Sequence, residues 1–237
     1  MNAIIIGASS GIGKELAVQL SAKGYKLGLT ARRVDLLNEL AKEINTESFV
    51  IQMDVKDIEN TTKGINDLIQ KMGGAGLIII NAGTGAHNPE LEWEKEKNTI
   101  DVNVTGFCNA ANAAMKYFIS RGSGHLVGIS SLAALRGNRF APAYSASKAF
   151  LSNYLEGLRH KVVKEKIPVT ITDIKPGFVN TVMAQGDYLF WVEPVPKAVK
   201  QIVKAIERKK AVAYITRRWR LIAWIYKALP KWIYYKG

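Results

Sequence analysis

The chain has 237 residues, of which 48% are apolar and 22% charged, a composition that excludes wholesale disorder and is long enough for a self-sufficient core. Its formal charge of +13 is concentrated: from Lys197 to Gly237 there are twelve basic residues against one acid, Glu207, a net of +11, so residues 1–196 are close to neutral. The single cysteine, Cys108, excludes an internal disulfide, and no apolar run reaches the ~18–20 residues of a membrane-spanning helix.

In chain order, Ala3 to Ile6 reads as a short buried strand, and Met1-Asn2 lacks the basic start of a secretory leader, so a cytoplasmic protein is expected. Ile12, Leu16, Ala17 and Leu20 share one face of a helix that Gly24 stops. Lys26 to Ala31 reads as a second strand, Val34 to Ile44 as a helix, Ser48 to Met53 as a third strand and Ile58 to Met72 as a helix. Leu77 to Ile80 is wholly apolar, as in a strand covered on both sides. A long helical region is predicted from Glu94 to Ile119, then a strand from His125 to Ile129 and a helix from Ala143 to Glu165. Val169 to Ile174, Pro196 to Lys209 and Ala211 to Ile215 complete the alternation as strand, helix and strand. Such alternation predicts an α/β domain, a parallel sheet of about seven strands with helices on both faces. The division is drawn as residues 1–216 for this domain and 217–237 for a C-terminal extension.

The turn after the first strand reads Gly7-Ala8-Ser9-Ser10-Gly11-Ile12-Gly13 and opens a helix. Small residues let backbone amides approach a pyrophosphate, and the helix N-terminus adds partial positive charge. The spacing is Gly-x-x-x-Gly-x-Gly, and a glycine-rich turn without a ligand is the plain alternative. Farther on, Tyr144 and Lys148 stand at i and i+4, on one helix face. An ammonium beside a phenol favours the phenolate and moves its pKa toward the working range, although a Tyr-x-x-x-Lys pair also arises by chance. Ser131 lies just after the fifth strand, on the side where such folds bind ligands.

Together these residues resemble the short-chain dehydrogenase/reductase family, in its branch of single-domain oxidoreductases. The resemblance runs over residues 2–216 through Gly7-x-x-x-Gly11-x-Gly13, Asp54-Val55, Asn81-Ala82-Gly83, Asn103, Ser131, Tyr144-x-x-x-Lys148 and Pro176-Gly177. It implies a Rossmann-type doubly wound sheet and hydride transfer between a nicotinamide and a carbonyl or alcohol. It also implies roles: Asp54 capping the adenine, Asn81, Ala82 and Gly83 beside the cofactor, and Asn103 holding a relay water. By the same resemblance Ser131 holds the substrate carbonyl, Tyr144 is the acid/base, and Lys148 binds the ribose and lowers the tyrosine pKa. Pro176-Gly177-Phe178-Val179-Asn180-Thr181 is similar to the family's Pro-Gly-x-x-x-Thr, whose threonine touches the carboxamide.

In this fold an acid at the end of the second strand binds the ribose hydroxyl and rejects a 2′-phosphate. Here that position is Ala31, followed by Arg32, which can pair with a phosphate, so NADP(H) is expected over NAD(H). Arg32 and Arg33 as a merely solvated helix start is the alternative. Val182 to Val195 lies where the family places a substrate lid, and its Met183, Tyr188, Leu189, Phe190 and Trp191 suit an apolar, lipid-like substrate or, equally, packing on the core or a partner subunit. Glu90, Glu92, Glu94 and Glu96 read as a solvated face, and His87, His125 and His160 lack metal-ligand spacing, so no metal is expected.

Arg217 to Lys236 holds three of the five tryptophans, Trp219, Trp224 and Trp232. On a helical wheel Arg220, Lys227 and Lys231 cluster within about 40°, with Leu221, Ile225, Leu229 and Trp232 on the other side, Trp224 at the margin, and Pro230 breaking the helix in two. That pattern fits a helix lying in a membrane interface; packing on the domain or in a homodimer or homotetramer interface fits it as well. Nucleic acid is not expected, since no nucleic-acid module accompanies the charge. The rival to an enzyme is a non-catalytic nucleotide-sensing or membrane-recruiting protein on the same fold, which would not need Ser131, Tyr144 and Lys148 together.

Overall fold

The computed structural model describes residues 1–182, 191–216 and 218–235. Seven strands form one sheet: β1 (Asn2–Ile6), β2 (Lys26–Ala31), β3 (Ser48–Gln52), β4 (Leu77–Ile80), β5 (Gly124–Ile129), β6 (Val169–Pro176) and β7 (Val212–Ile215). Their order is β3-β2-β1-β4-β5-β6-β7, and every neighbouring pair is parallel. All strands therefore end on the same edge, and the order reverses between β1 and β4. A doubly wound sheet opens a ligand crevice at that point, because the two connections leave toward opposite faces.

The two-residue period of a strand explains how short strands hold two cores. Ile5 points to the layer built by Leu16 and Leu20 of α1 (Gly11–Ser21), Leu37 and Leu40 of α2 (Val34–Glu43), and Val199, Ile202 and Ile206 of α7 (Val195–Glu207). Ile4 and Ile6 point to the other layer, with Ile65 and Leu68 of α3 (Ile58–Lys71), Phe107 and Phe118 of α5 (Phe107–Arg121), and Leu151 and Leu155 of α6 (Pro142–Lys164). Each helix buries one apolar stripe, as its 3.6-residue period requires.

The long helix expected from Glu94 to Ile119 is three pieces: α4 (Trp93–Ile100), a π-helical stretch (Asp101–Gly106) and α5. The wider π turn re-aims the residues between two α-helices, a change in phase that hydrophobic spacing does not announce. Gly106 ends the stretch against β3's loop, where a Cβ would meet the Val55 carbonyl at 2.7 Å.

After β7 the chain forms α8 (Trp219–Ala228) and, past Pro230, α9 (Lys231–Tyr234), so the helix does break at the proline. The inner face of α8 is part of the packed body. Trp219 and Ala223 are 4% and 2% exposed and form a third cluster with Leu132, joined by Leu135, Phe178, Tyr214 and Ile222. Gly177 is bare because the Trp219 indole fills its side-chain space: a Cβ there would lie 2.4 Å from Nε1. Arg136 ties down the far end of α8, its Nε donating to the Tyr226 carbonyl at 2.8 Å and its Nη2 to that of Leu229. A chain ending at Thr216 therefore exposes Leu132 and Gly177 rather than merely shedding an appendage. Trp219→Ala is expected to cost ~3–5 kcal/mol, the usual range for a buried tryptophan. Denaturant unfolding checks it, and a loss under ~1 kcal/mol would show that α8 does not support the body.

Candidate active site

The candidate functional residues gather at the carboxyl ends of the strands. After β1, Gly7 and Gly11 have φ of +91° and +53°, a left-handed backbone that glycine adopts without strain. A Cβ on Gly13 would lie 2.0 Å from the Gly7 carbonyl, and one on Gly7 would lie 2.6 Å from the Ala82 amide nitrogen. The turn is thus a tight bare cradle at the start of α1, which fits a dinucleotide pyrophosphate. Ser10 is the N-cap of α1, and Ile12 packs its side chain inward on the core, leaving its backbone in the turn.

Asn81, just past β4, donates from Nδ2 to the Gly7 carbonyl at 2.7 Å and fixes the cradle to the next strand. Ala82 donates its N–H to the Ile6 carbonyl at 2.7 Å, and a Cβ on Gly83 would meet Lys148 Nζ at 3.1 Å. Asp54 follows β3 and accepts the Lys56 N–H at 3.0 Å. Past Pro176, the last residue of β6, Gly177 faces Trp219, and Val179 is buried and bridges to Glu193. The Thr181 methyl lies 3.2 Å from the Cβ position of Gly11, so this loop approaches the glycine turn.

Asn103 sits in the π stretch with no exposed surface. Its Oδ1 accepts the Thr84 N–H at 2.8 Å, and its Nδ2 donates to the Thr84 carbonyl at 2.7 Å and the Ser147 hydroxyl at 2.9 Å. The amide thereby locks the β4 loop to α6, the helix that carries Tyr144 and Lys148. Ser131 lies in extended backbone, and its hydroxyl accepts the Ala133 N–H at 3.1 Å at the start of a 3-10 turn (Leu132–Leu135).

Tyr144 and Lys148 share the predicted helix face, with the ammonium 5.7 Å from the ring centre. Gly85 makes room for that ring, since a Cβ there would come within 2.5 Å of Tyr144 Cδ2. Lys148 Nζ donates to the Ile129 carbonyl at 3.1 Å. Burial holds its pKa down to about 8, while the Asp173 carboxylate pushes the other way. The tyrosine differs from expectation. Among the chain's own groups burial is the larger influence and raises its pKa above the ordinary value of 10, with the Ser131 hydroxyl pulling it down. The ammonium donates to a backbone carbonyl, and burial, not the lowering expected from Lys148, sets the net direction among the chain's own groups.

Three residues near the site carry roles that sequence reasoning did not give them. Asp173, on β6 opposite Gly128, is 2% exposed; it accepts the Ser130 hydroxyl and pairs with Lys175 at 2.7 Å. Glu96 is a correction to the solvated-glutamate reading. Its carboxylate accepts the Ala143 N–H at the start of α6 (3.0 Å) and the buried Asn88 amide (2.7 Å), favourable for an anion at a helix N-terminus. Arg33, treated as part of a helix start, donates from Nη2 to the Ser9 and Ser10 hydroxyls at 3.0 and 2.9 Å. Arg32 is exposed beside it, its carbonyl held by Gln52. Buried His125 pairs with Thr172 at 2.8 Å, and burial drops its pKa to about 4, as for a neutral core histidine. Among the described residues no cluster of three metal-ligating side chains occurs. Of the expected lid, Met183, Tyr188, Leu189 and Phe190 lie outside the described residues.

With this geometry in view, the comparisons with known proteins define the class. The short chain dehydrogenase family model matches residues 1–188, and the chain belongs to the short-chain dehydrogenase/reductase family. It is an oxidoreductase of that family, which binds NAD(P). It is 39% identical over 184 residues to an uncharacterized oxidoreductase of Myxococcus xanthus, covering 76% of this chain and 72% of that one. An uncharacterized oxidoreductase of Mycobacterium tuberculosis is 34% identical over 221 residues, 90% of this chain and 87% of its own. Among solved structures, ElxO with NADP bound superposes with a TM-score of 0.80 at 20% identity, covering 90% and 96% of the two chains.

A buried ammonium that is forced toward neutrality destabilises the fold that holds it. The Lys148 pKa falls from 10.5 to about 8, which corresponds to about 3 kcal/mol against the folded state wherever the unfolded lysine is charged and the folded one must be too. Lys148→Met is therefore expected to raise stability below pH 8. The gain should fade between pH 8 and 10.5, where wild-type Lys148 is already neutral when folded. Thermal unfolding across that range checks the sign.

Proposed function

We propose that the protein is an NADP(H)-dependent carbonyl reductase or alcohol dehydrogenase acting on an apolar substrate. The observation that carries this reading is the meeting of the Ser131 and Tyr144 hydroxyls beside the buried Lys148 at the carboxyl edge of the sheet. The chemistry supplied there by a bound nicotinamide is hydride transfer to or from carbon. Residues fit to hold the dinucleotide are Gly7, Ser9, Ser10, Gly11, Gly13, Asn81, Gly83 and Thr181, around the bare cradle.

The chain's own groups handle the substrate oxygen. In reduction Tyr144 gives its proton to the oxygen as negative charge develops, and Ser131 donates a hydrogen bond to the same atom. A phenol whose pKa is raised by burial is fully protonated at neutral pH, ready to act as the acid. The Lys148 ammonium stabilises the phenolate left behind. Asn103 holds the loop and the helix in register while this happens. A purely cofactor-sensing protein has no use for this set, and no observation favours that role. Tyr144→Phe is expected to leave cofactor affinity intact and cut turnover by ~10²–10⁴. NADPH oxidation with a panel of apolar ketones, followed at the nicotinamide absorbance, reads it; near-full turnover in the variant would remove the mechanism.

Support for NADP(H) comes from charge at the mouth of the glycine turn. Arg33 already reaches the Ser9 and Ser10 hydroxyls, Arg32 is exposed next to it, and Ala31 puts no carboxylate in the way. Two guanidiniums and two hydroxyls suit a phosphate monoester. ElxO, which shares the fold, is bound to NADP. Replacing Arg32 and Arg33 together with alanine is expected to raise the NADPH dissociation constant ~10-fold or more and leave NADH nearly unchanged, since a charge-assisted bond is worth ~1.5–3 kcal/mol. Titration calorimetry with both cofactors decides, and equal losses would overturn the preference.

A further inference from the structure

The outer side of α8 is apolar too. Leu221, Trp224, Ile225 and Ala228 stand at i, i+3, i+4 and i+7 and are all exposed, Leu221 by 66% and Trp224 by 75%. Ile233 and Tyr235, in and just after α9, extend the exposed apolar surface. Arg220, also exposed, stands near the edge of this strip, and from residue 217 onward the chain holds six basic residues and no acid. We propose that this outer face of α8 docks on the surface of an anionic lipid bilayer, with the helix lying in the interface and its inner face held by the enzyme.

Two observations, charge and size, select this occupant. Charge complementarity is the first: the α8–α9 segment from Arg217 onward carries six basic residues and no acid. Basic segments gain about 1 kcal/mol per Lys or Arg at an anionic surface, and apolar groups at the same helix add insertion into the acyl boundary. A second copy of the chain is the poorer fit, because a two-fold interface would set the same cationic segment against itself. The second is size. A ten-residue helix is about 15 Å long, and its outer strip offers far less than the ~800 Å² per partner of a stable protein interface. A bilayer needs no such closed area.

The inner face says where docking would bring the enzyme. Trp219 touches Gly177 and stacks edge-on against Phe178 (5.5 Å) and Trp191 (5.9 Å), the last being the near end of the expected lid. Leu132, in the same cluster, follows Ser131. Arg218 ties this corner further, donating to the Trp191 carbonyl and to Glu193, both at 3.2 Å. A docked α8 thus sets the loops around the substrate side of the site next to the lipid.

The test uses the full-length protein and extruded vesicles of phosphatidylcholine with phosphatidylglycerol, against vesicles of phosphatidylcholine alone. Cosedimentation is read without turnover, so its outcome is separate from that of the reductase reading. Expected are binding to the anionic vesicles, release as NaCl approaches ~1 M, where screening acts within ~3 Å, and a blue shift of tryptophan emission on binding. The double variant Leu221→Asn/Trp224→Gln should lose at least ~10-fold in vesicle partition while its thermal midpoint and cofactor affinity stay at wild-type values. Absence of wild-type binding, or equal binding by the double variant, overturns the proposal. So does a fall in oligomeric mass by light scattering in the double variant, which would assign the face to a second copy.

Discussion

The ammonium of Lys148 is the group on which the arrangement of this molecule turns. A charge cannot be placed in a protein interior without partners, because desolvation alone costs several kcal/mol. Lys148 finds them at the carboxyl edge of the sheet: the Ile129 carbonyl directly, and the field of Asp173 from the neighbouring strand. Asp173 is itself committed to Lys175 and to the Ser130 hydroxyl. Two buried lysines therefore share one buried carboxylate, and the surplus is positive. A site left net positive in low dielectric favours a polyanionic dinucleotide and a transition state in which negative charge grows on oxygen. The same surplus is what destabilises the folded chain, so stability and the proposed chemistry draw in opposite directions at one residue.

Holding that charge in place requires rigidity from elements far apart in sequence. Asn103 closes three hydrogen bonds inside the protein, two to the Thr84 backbone and one to Ser147 on α6. It reaches them from a π turn, between two stretches of ordinary α-helix. Glu96, three residues after the start of α4, steadies the other end of the problem by accepting the Ala143 N–H in the first turn of α6. The helix that carries Tyr144 and Lys148 is thus pinned at its origin and along its side before any ligand is considered.

The sequence made the frame legible because its signals are local. Alternating strands and helices, glycines at the first turn and a Tyr-x-x-x-Lys pair each lie within one element, and the sheet order, the cradle and the shared helix face agree with them. What stayed hidden depends on register between elements. Asp173 looks like one polar residue in a strand until β6 pairs with β5 and sets it opposite Gly128. Glu96 is one of four alternating glutamates, and only folding singles it out by bringing α6 to it. Arg33 could not be told from Arg32 by type; the backbone of the helix start decides which guanidinium turns to the serines. The upward pull of burial on the tyrosine was hidden for a related reason: i,i+4 spacing gives proximity to an ammonium, but burial is a property of the whole fold.

The terminal segment shows how two opposite readings can both describe one helix. Its aromatic richness fits packing on the domain and fits an interfacial helix, and a single amphipathic stripe would force a choice. The ten residues of α8 do not have a single stripe. Trp219 and Ala223 face the body and Leu221, Trp224 and Ile225 face outward, with Ile222 and Tyr226 half-buried on the inner side. The inner contact is made to the bare Gly177 and to Leu132, residues adjacent to the cofactor loop and to Ser131, so the helix cannot shift without disturbing the site. An apolar outer face on a helix so placed costs solubility, and large contiguous apolar patches are rare on soluble surfaces. The position of that patch, over the corner where Trp191 and Phe178 meet Trp219, makes any contact it forms a contact with the substrate side of the enzyme.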